Sequence, residues 1–209
     1  MQNTQDMVDA LLTKNFANIS QTGACKISTI NSSFTFYNGK FHSFNDDPAI
    51  NYAHGMKMWV KDGKLSRTSG PAVSSSTLRE WWIDGKLHRD EKDEKGLTLP
   101  AIIFSHGEAW YINGVLSRDW REGPACKSKE CEQYYVNGLQ HRGDDLPAVV
   151  SLDSCEKEWW LMGKRHRDNG LPAVIRSGDV KEYWFLGNKY LLLIFLNEIF
   201  LNEKNFSKK

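Results

Sequence analysis

Hydrophobic positions along this chain come in short bursts with near period-two alternation, each ending at a glycine and separated from the next by polar residues. That period belongs to strands, whereas a helix repeats every 3.6 residues. The bursts resemble one another. Aligned on the glycine they read FTFYNGKFHS, KMWVKDGKLSR, EWWIDGKLHRD, EAWYINGVLSRD, EQYYVNGLQHR, KEWWLMGKRHRD and KEYWFLGNKY, around Gly39, Gly63, Gly85, Gly114, Gly138, Gly163 and Gly187. Successive glycines are 24, 22, 29, 24, 25 and 24 residues apart. The first six copies close on Pro-Ala, at Pro48, Pro71, Pro100, Pro124, Pro147 and Pro172, and these account for all 6 prolines. A fixed period of this length marks a repeat architecture.

Each copy predicts a β-hairpin. Aromatic and β-branched residues before the glycine suit a short strand. Asn38, Asp62, Asp84, Asn113 and Asn137 precede the glycine in five copies, and Asn-Gly or Asp-Gly accepts positive φ at both centres of a tight turn. The residues after the glycine form the return strand. Pro-Ala then opens another extended run, since proline is tolerated at a strand's first residue. One such hairpin is unstable alone in water. Seven copies over residues 31–189 are therefore expected to lie side by side as an all-β array, an elongated twisted sheet or β-solenoid. In the third copy Gly85 and Pro100 are 15 residues apart, which predicts an enlarged charged surface loop within EKDEKGLTL.

The ends have another period. Met7, Val8, Leu11, Leu12 and Phe16 predict a helix over about residues 4–18, within an N-terminal cap of residues 1–30. Residues 190–209 read as a second capping helix with a tail, covering the edge that a terminal strand leaves open.

Charge narrows the function classes. Lys+Arg number 27 against 26 Asp+Glu, so no overall field recruits nucleic acid or an acidic membrane. Aromatic residues make up 12%, too many for a disordered chain. The start, MQNTQDMVDALL, lacks the basic and apolar regions of a secretory signal. The longest apolar run is 7 residues, Tyr190 to Leu196, where a membrane span needs roughly 20. Four cysteines without an export signal point to a reducing compartment. These features predict a soluble intracellular protein.

The Gly-Lys-x-His core after an aromatic strand, at Gly39-Lys40, Gly63-Lys64, Gly85-Lys86 and Gly163-Lys164 with His42, His88 and His166, resembles the MORN repeat. The continuation into Arg and Gly-x-Pro-Ala is similar to the MORN-like variant common in large DNA viruses of amoebae and in some bacteria and phages. The likeness spans about Phe34 to Tyr190, with His-Arg or Ser-Arg where the standard unit has His-Gly. It implies an elongated hairpin scaffold used for dimerisation, protein docking and sometimes lipid contact, not an enzyme. It also implies a virus-encoded protein, placed in the host cytoplasm or in the virion.

Candidate chemistry has to be weighed against this periodicity. His42, His88, His141 and His166 occupy one repeat position, where two other copies have Ser66 and Ser117. A catalytic base has a unique environment, so a recurring residue exchangeable with serine reads as a hydrogen-bonding element. Arg67, Arg89, Arg118, Arg142 and Arg167 follow directly. They are expected either to bond loop carbonyls and acids such as Asp90, Asp119 and Asp168 while stacking on Trp faces, or to form a ladder that meets an acidic partner. Balanced charge disfavours nucleic acid as that partner.

In pairs such as Trp81-Trp82 and Trp159-Trp160, strand alternation predicts one ring in the core and one outward. The outward ring is either covered by a neighbouring strand or presented as an adhesive surface. Cys126, Cys131 and Cys155 lack the Cys-x2-Cys knuckles of zinc sites. No catalytic residue, cofactor, metal or small-molecule substrate is expected. The sequence predicts a non-catalytic scaffold binding protein or itself, a viral structural component being one setting. The alternative is a peripheral membrane or host-directed adaptor using the segment from Leu191 to Leu201.

Overall fold

The computed structural model describes residues 4–16 and 22–190, and contacts group the chain into two compact units, Met1–Val115 and Leu116–Lys209. The described residues are mostly β, in antiparallel hairpins, with one α-helix, α1 (Thr4–Phe16), near the N-terminus. The helix predicted for residues 190–209, and the end of the one predicted to reach residue 18, lie outside the described residues.

In the N-terminal unit the strands Ala24–Ser28, Ser32–Tyr37, Ile50–Tyr52, Lys57–Met58, Val73–Ser74, Leu78–Glu80, Ile102–Phe104 and Gly107–Ala109 pair in that order, each antiparallel to the next. In the C-terminal unit the order is Cys126–Ser128, Cys131–Gln133, Val149–Ser151, Lys157–Glu158, Val174–Arg176, Val180–Phe185 and Asn188–Tyr190. Short two-residue hairpins branch from this ladder at the turn glycines, for example Trp82–Ile83 with Lys86–Leu87, and Trp160–Leu161 with Lys164–Arg165.

The first aromatic of each pair sits at the branch. The Trp59 N–H donates to the Ala72 carbonyl and the Trp59 carbonyl accepts from the Ser66 N–H. Trp81, Tyr134 and Trp159 make the equivalent bonds with Ala101 and His88, with Ala148 and His141, and with Ala173 and His166. The chain bends there without leaving either backbone group unpaired.

The Pro-Ala step fixes the packing. Ala49, Ala72, Ala101, Ala125, Ala148 and Ala173 are fully buried, so the site under each loop has room for one methyl group. The turn glycines have φ between 74° and 88°, and the residue before each also has positive φ, from 46° to 52°. This is the tight turn that Asn-Gly and Asp-Gly predict. The charged insertion of the third copy, residues 90–97, lies on the surface and folds on itself through a Lys92–Thr98 bridge.

A hydrophobic core lies in the N-terminal unit. Phe34, Phe36, Phe41, Ile50, Val60, Leu65, Val73 and Trp82 are buried together, and α1 covers them with Val8, Leu11, Leu12 and Phe16. Phe16 meets Phe34, Phe36 and Phe41 at ring-centroid distances of 5.0, 5.3 and 5.8 Å. Gln5 docks the helix on the sheet: its amide donates to the Gly63 carbonyl (3.0 Å) and accepts from the Leu65 N–H (2.7 Å).

Candidate functional site: the arginine clamp and the histidine staple

The recurring polar residues converge on one construction. The guanidinium of Arg67 lies 3.7 Å over the Trp59 ring, Arg89 lies 3.8 Å over Trp81, Arg142 lies 3.8 Å over Tyr134, and Arg167 lies 3.9 Å over Trp159. Five arginines then reach the Pro-Ala loop. Nη1 of Arg67, Arg89, Arg118, Arg142 and Arg167 donates to the carbonyl of Pro71, Pro100, Pro124, Pro147 and Pro172, at 3.1–3.3 Å. Stacking and a charge-assisted bond together hold the loop against the ring.

The other edge of the guanidinium takes a carboxylate. Asp46 receives Nε and Nη2 of Arg67 at 2.8 and 2.7 Å, and Asp145 receives those of Arg167 at 2.8 Å each. These bonds, first to arginine and with smaller help from its charge, hold both carboxyls below the ordinary aspartate range against the opposing effect of desolvation. Arg89 uses Glu91 instead, at 3.0 Å. The same two loops receive the indole N–H groups, with Trp59 donating to the Asp46 carbonyl and Trp159 to that of Asp145. Where the first copy has Ser43 in place of arginine, its hydroxyl accepts the N–H of Ala49 and of Val60, both at 3.0 Å.

The residue before the arginine joins one hairpin to the next. Its side chain accepts the backbone N–H of the residue preceding the following turn glycine: Asp62 to His42 Nδ1, Asp84 to Ser66, Asn113 to His88 Nδ1, Asn137 to Ser117 and Leu186 to His166 Nδ1, at 2.9–3.3 Å. Serine and imidazole are interchangeable here because both offer one acceptor at the required place. Backbone bonds run alongside, such as Gly85 N–H to the Leu65 carbonyl and Gly187 N–H to that of Arg165. At the buried His166, Nδ1 faces the Leu186 N–H and Nε2 faces Asp168 at 3.1 Å.

Several expectations are sharpened by this geometry. The acids that meet the arginines are Asp46, Glu91, Asp145 and, at 4.0 Å from Arg118, Glu122; Asp90 and Asp168 instead face His88 and His166, because side chains two apart in an extended chain share a side and adjacent ones do not. Asp119 pairs with Arg121. Each aromatic pair has one buried and one half-buried ring, Trp82 with Trp81 and Trp159 with Trp160, and the half-buried rings are partly covered rather than presented outward. Trp81 and Trp159 carry the stacked arginines, and Trp82 and Trp160 bond Glu80 and Glu158 through their indole N–H at 2.8 and 3.0 Å. The glutamate two residues before the second tryptophan was missed in the sequence, although Glu-x-Trp recurs at Glu80, Glu158 and Glu182.

Depressions flank both complete clamps, about 420 Å³ beside His42, Asp46, Trp59 and Arg67, and about 250 Å³ beside His141, Arg142, Trp159 and Arg167. Cys126 and Cys131 are half-buried on neighbouring strands, and burial, then the nearby Cys131, pushes the Cys126 thiol up. No group of three or more His, Cys, Asp or Glu among the described residues has metal-binding geometry. No helix among the described residues is long and apolar enough to cross a membrane. Compared with known proteins, the chain matches no family model, no curated protein and no solved structure.

Proposed function

We propose that this chain is a non-catalytic, MORN-like repeat scaffold, its seven hairpins stacked as a solenoid-like array, that binds protein or assembles with further copies. The observation that carries this reading is the use made of the recurring polar side chains. Every described Arg-Pro carbonyl bond and every His or Ser staple holds a backbone group of the chain itself. A catalytic base or nucleophile is set apart by an environment of its own, whereas at His42, Ser66, His88, Ser117 and His166 the side chain accepts the same backbone N–H of the next hairpin. Rigid stacked hairpins suit presentation of loops and edges, where binding residues of repeat proteins concentrate. Within this reading a structural part of a viral particle, or an adaptor directed at a host, are the settings that the repeat type suggests.

Two measurements test it. Light scattering on the purified full chain, and quantitative proteomics of complexes captured by it in its source cells and particles, are expected to find a stoichiometric partner or oligomer. A strictly monomeric chain without a partner in either preparation contradicts the reading. Membrane attachment is the competing outcome: sedimentation with anionic vesicles in place of any protein partner would favour it.

A further inference from the structure

The two faces of the sheet in the N-terminal unit differ in kind. On one, Phe34, Ile50, Met58 and Val73 stand opposite one another across successive strands and are buried in the core under α1. Directly opposite residues share a face, and neighbours within a strand alternate. The other face therefore carries the row Ser33, Asn51, Lys57, Ser74 and Arg79. Lys26 joins it through its partner Thr35, two residues from Ser33.

Nothing on this face neutralises its cations. Lys26, Lys57 and Arg79 are exposed, and among the described residues their side chains have neither an ion pair nor a hydrogen bond. Ser33, Thr35, Asn51 and Ser74 are half-buried between them, and their hydroxyl and amide groups are equally unpaired there. Lys57 and Arg79 are two strand spacings apart, about 10 Å. The row holds no acid from Lys26 to Arg79. Asp47 borders it in a depression of about 280 Å³ shared with Lys26, Ser33, Thr35 and Asn51, and Glu108 lies past Ile103 at the far end.

The corresponding face of the C-terminal unit is built otherwise. Its row runs Lys127, Glu132, Val150, Lys157, Ile175 and Lys181. Lys127 pairs with Glu132 at 3.8 Å and Lys181 with Asp179 at 3.0 Å. Both rows contain three cations, but only in the N-terminal one are all three free.

Free ammonium and guanidinium groups among hydroxyl and amide donors offer a carboxylate both charge and hydrogen bonds. No aromatic ring stands in the row to stack a base, and a net charge of +1 lacks the basic excess of a nucleic-acid domain. Acidic protein is the polyanion that fits. We propose, resting on the scaffold reading, that this face of the N-terminal unit docks an acidic segment of a partner protein through Lys26, Lys57 and Arg79.

Fluorescence anisotropy of a labelled oligoglutamate titrated with the full chain at low salt tests the docking. The triple variant Lys26→Gln, Lys57→Gln, Arg79→Gln is expected to bind about tenfold more weakly, as for three exposed charge contacts. Lys127→Gln, Lys157→Gln, Lys181→Gln changes the net charge equally and is expected to bind as the parent does. All six positions are on the surface of the sheet, and thermal melts check that both variants fold. Equal losses in the two variants, or a parent that does not bind the oligoglutamate, overturn the proposal. Tighter binding of an oligothymidylate of matched charge, or of anionic vesicles, lost in the first variant, assigns the face to another polyanion and also overturns it. Should the oligoglutamate fail while the full chain still has a stoichiometric protein partner or oligomer, the scaffold reading stands and this site alone falls.

Discussion

The two units carry the same Glu-x-Trp element under different covers. In the N-terminal unit Glu80 accepts the Trp82 indole N–H at 2.8 Å beneath α1, whose Thr4 hydroxyl adds a bond at 3.2 Å. In the C-terminal unit Glu182 accepts the Trp184 N–H at 3.0 Å but faces Lys189 at 3.3 Å and Arg176 at 3.6 Å. Burial pushes the Glu80 carboxyl up, against the opposing indole and Thr4 bonds. The indole bond, followed by those of Lys189 and the charge of Arg176, holds Glu182 down against desolvation. One sequence element thus has opposite electrostatics, because an apolar helix removes water whereas cations supply charge.

The same contrast governs the rings. Trp82 is 2% exposed and belongs to the large core, whereas Trp160 is half-buried, with Arg165 5.1 Å from its centroid. Trp82→Ala is therefore expected to cost about 3–5 kcal/mol, as for a large core ring, and Trp160→Ala about 1–2 kcal/mol, as for a partly covered one. Urea denaturation of the two full-length variants checks the ordering, and equal losses would erase the distinction between the covers.

The clamp, by contrast, should behave alike in both units. Arg67→Met and Arg167→Met each lose a stacked cation and its charge-assisted bonds, about 2 kcal/mol by such contacts. Arginine-to-lysine replacements should recover little, since an ammonium cannot bridge carboxylate and carbonyl in one plane. Thermal melts of the four variants would show whether the two clamps are equivalent.

The glutamates give a smaller effect with a sign. A raised folded pKa contributes stability below the unfolded value near 4.5 and loses it as pH rises through the folded value. Glu80→Gln, free of that loss, is expected to be more stable than the parent at neutral pH, with the gain closing in acid. A lowered pKa works the other way: Glu182 contributes above its unfolded value, and the contribution disappears as pH falls through the folded one. Glu182→Gln is then expected to be less stable at neutral pH and equal to the parent in acid. Stability measured from pH 3 to 8 separates the two. The smallest change is at the turns, where Asn113→Met places a branched-free apolar side chain at φ 52° and is expected to cost about 1 kcal/mol.

Much of this was legible in the sequence because the hairpins are specified locally. Asn38, Asp62, Asp84, Asn113 and Asn137 announce turns by their own chemistry, and Met162 and Leu186 are recognised as turns only by alignment with them. The stacking of arginine on the first ring, and its bond to a loop carbonyl, also follow from the order of residues. The acidic partners did not. Asp46 lies 21 residues before Arg67 and Asp145 lies 22 before Arg167, so the pairing depends on the offset between successive hairpins. The histidine staple was foreseen as a hydrogen-bonding element, but its partner is a backbone N–H, which carries no residue identity. The cover over each unit is a tertiary property too, and alternation alone does not say which ring of a pair is buried, the second at Trp82 but the first at Trp159.

The recurrent His or Ser works as a structural acceptor, and backbone amide exchange at single-residue resolution tests this role most directly. With His166→Ala in the full chain, the Leu186 amide, held by His166 Nδ1 at 3.3 Å, should lose protection, while the Asn113 and Asn137 amides, held by His88 and Ser117, keep theirs. His166→Ser should restore part of the protection at Leu186. Unchanged exchange at Leu186 in the alanine variant would contradict the account.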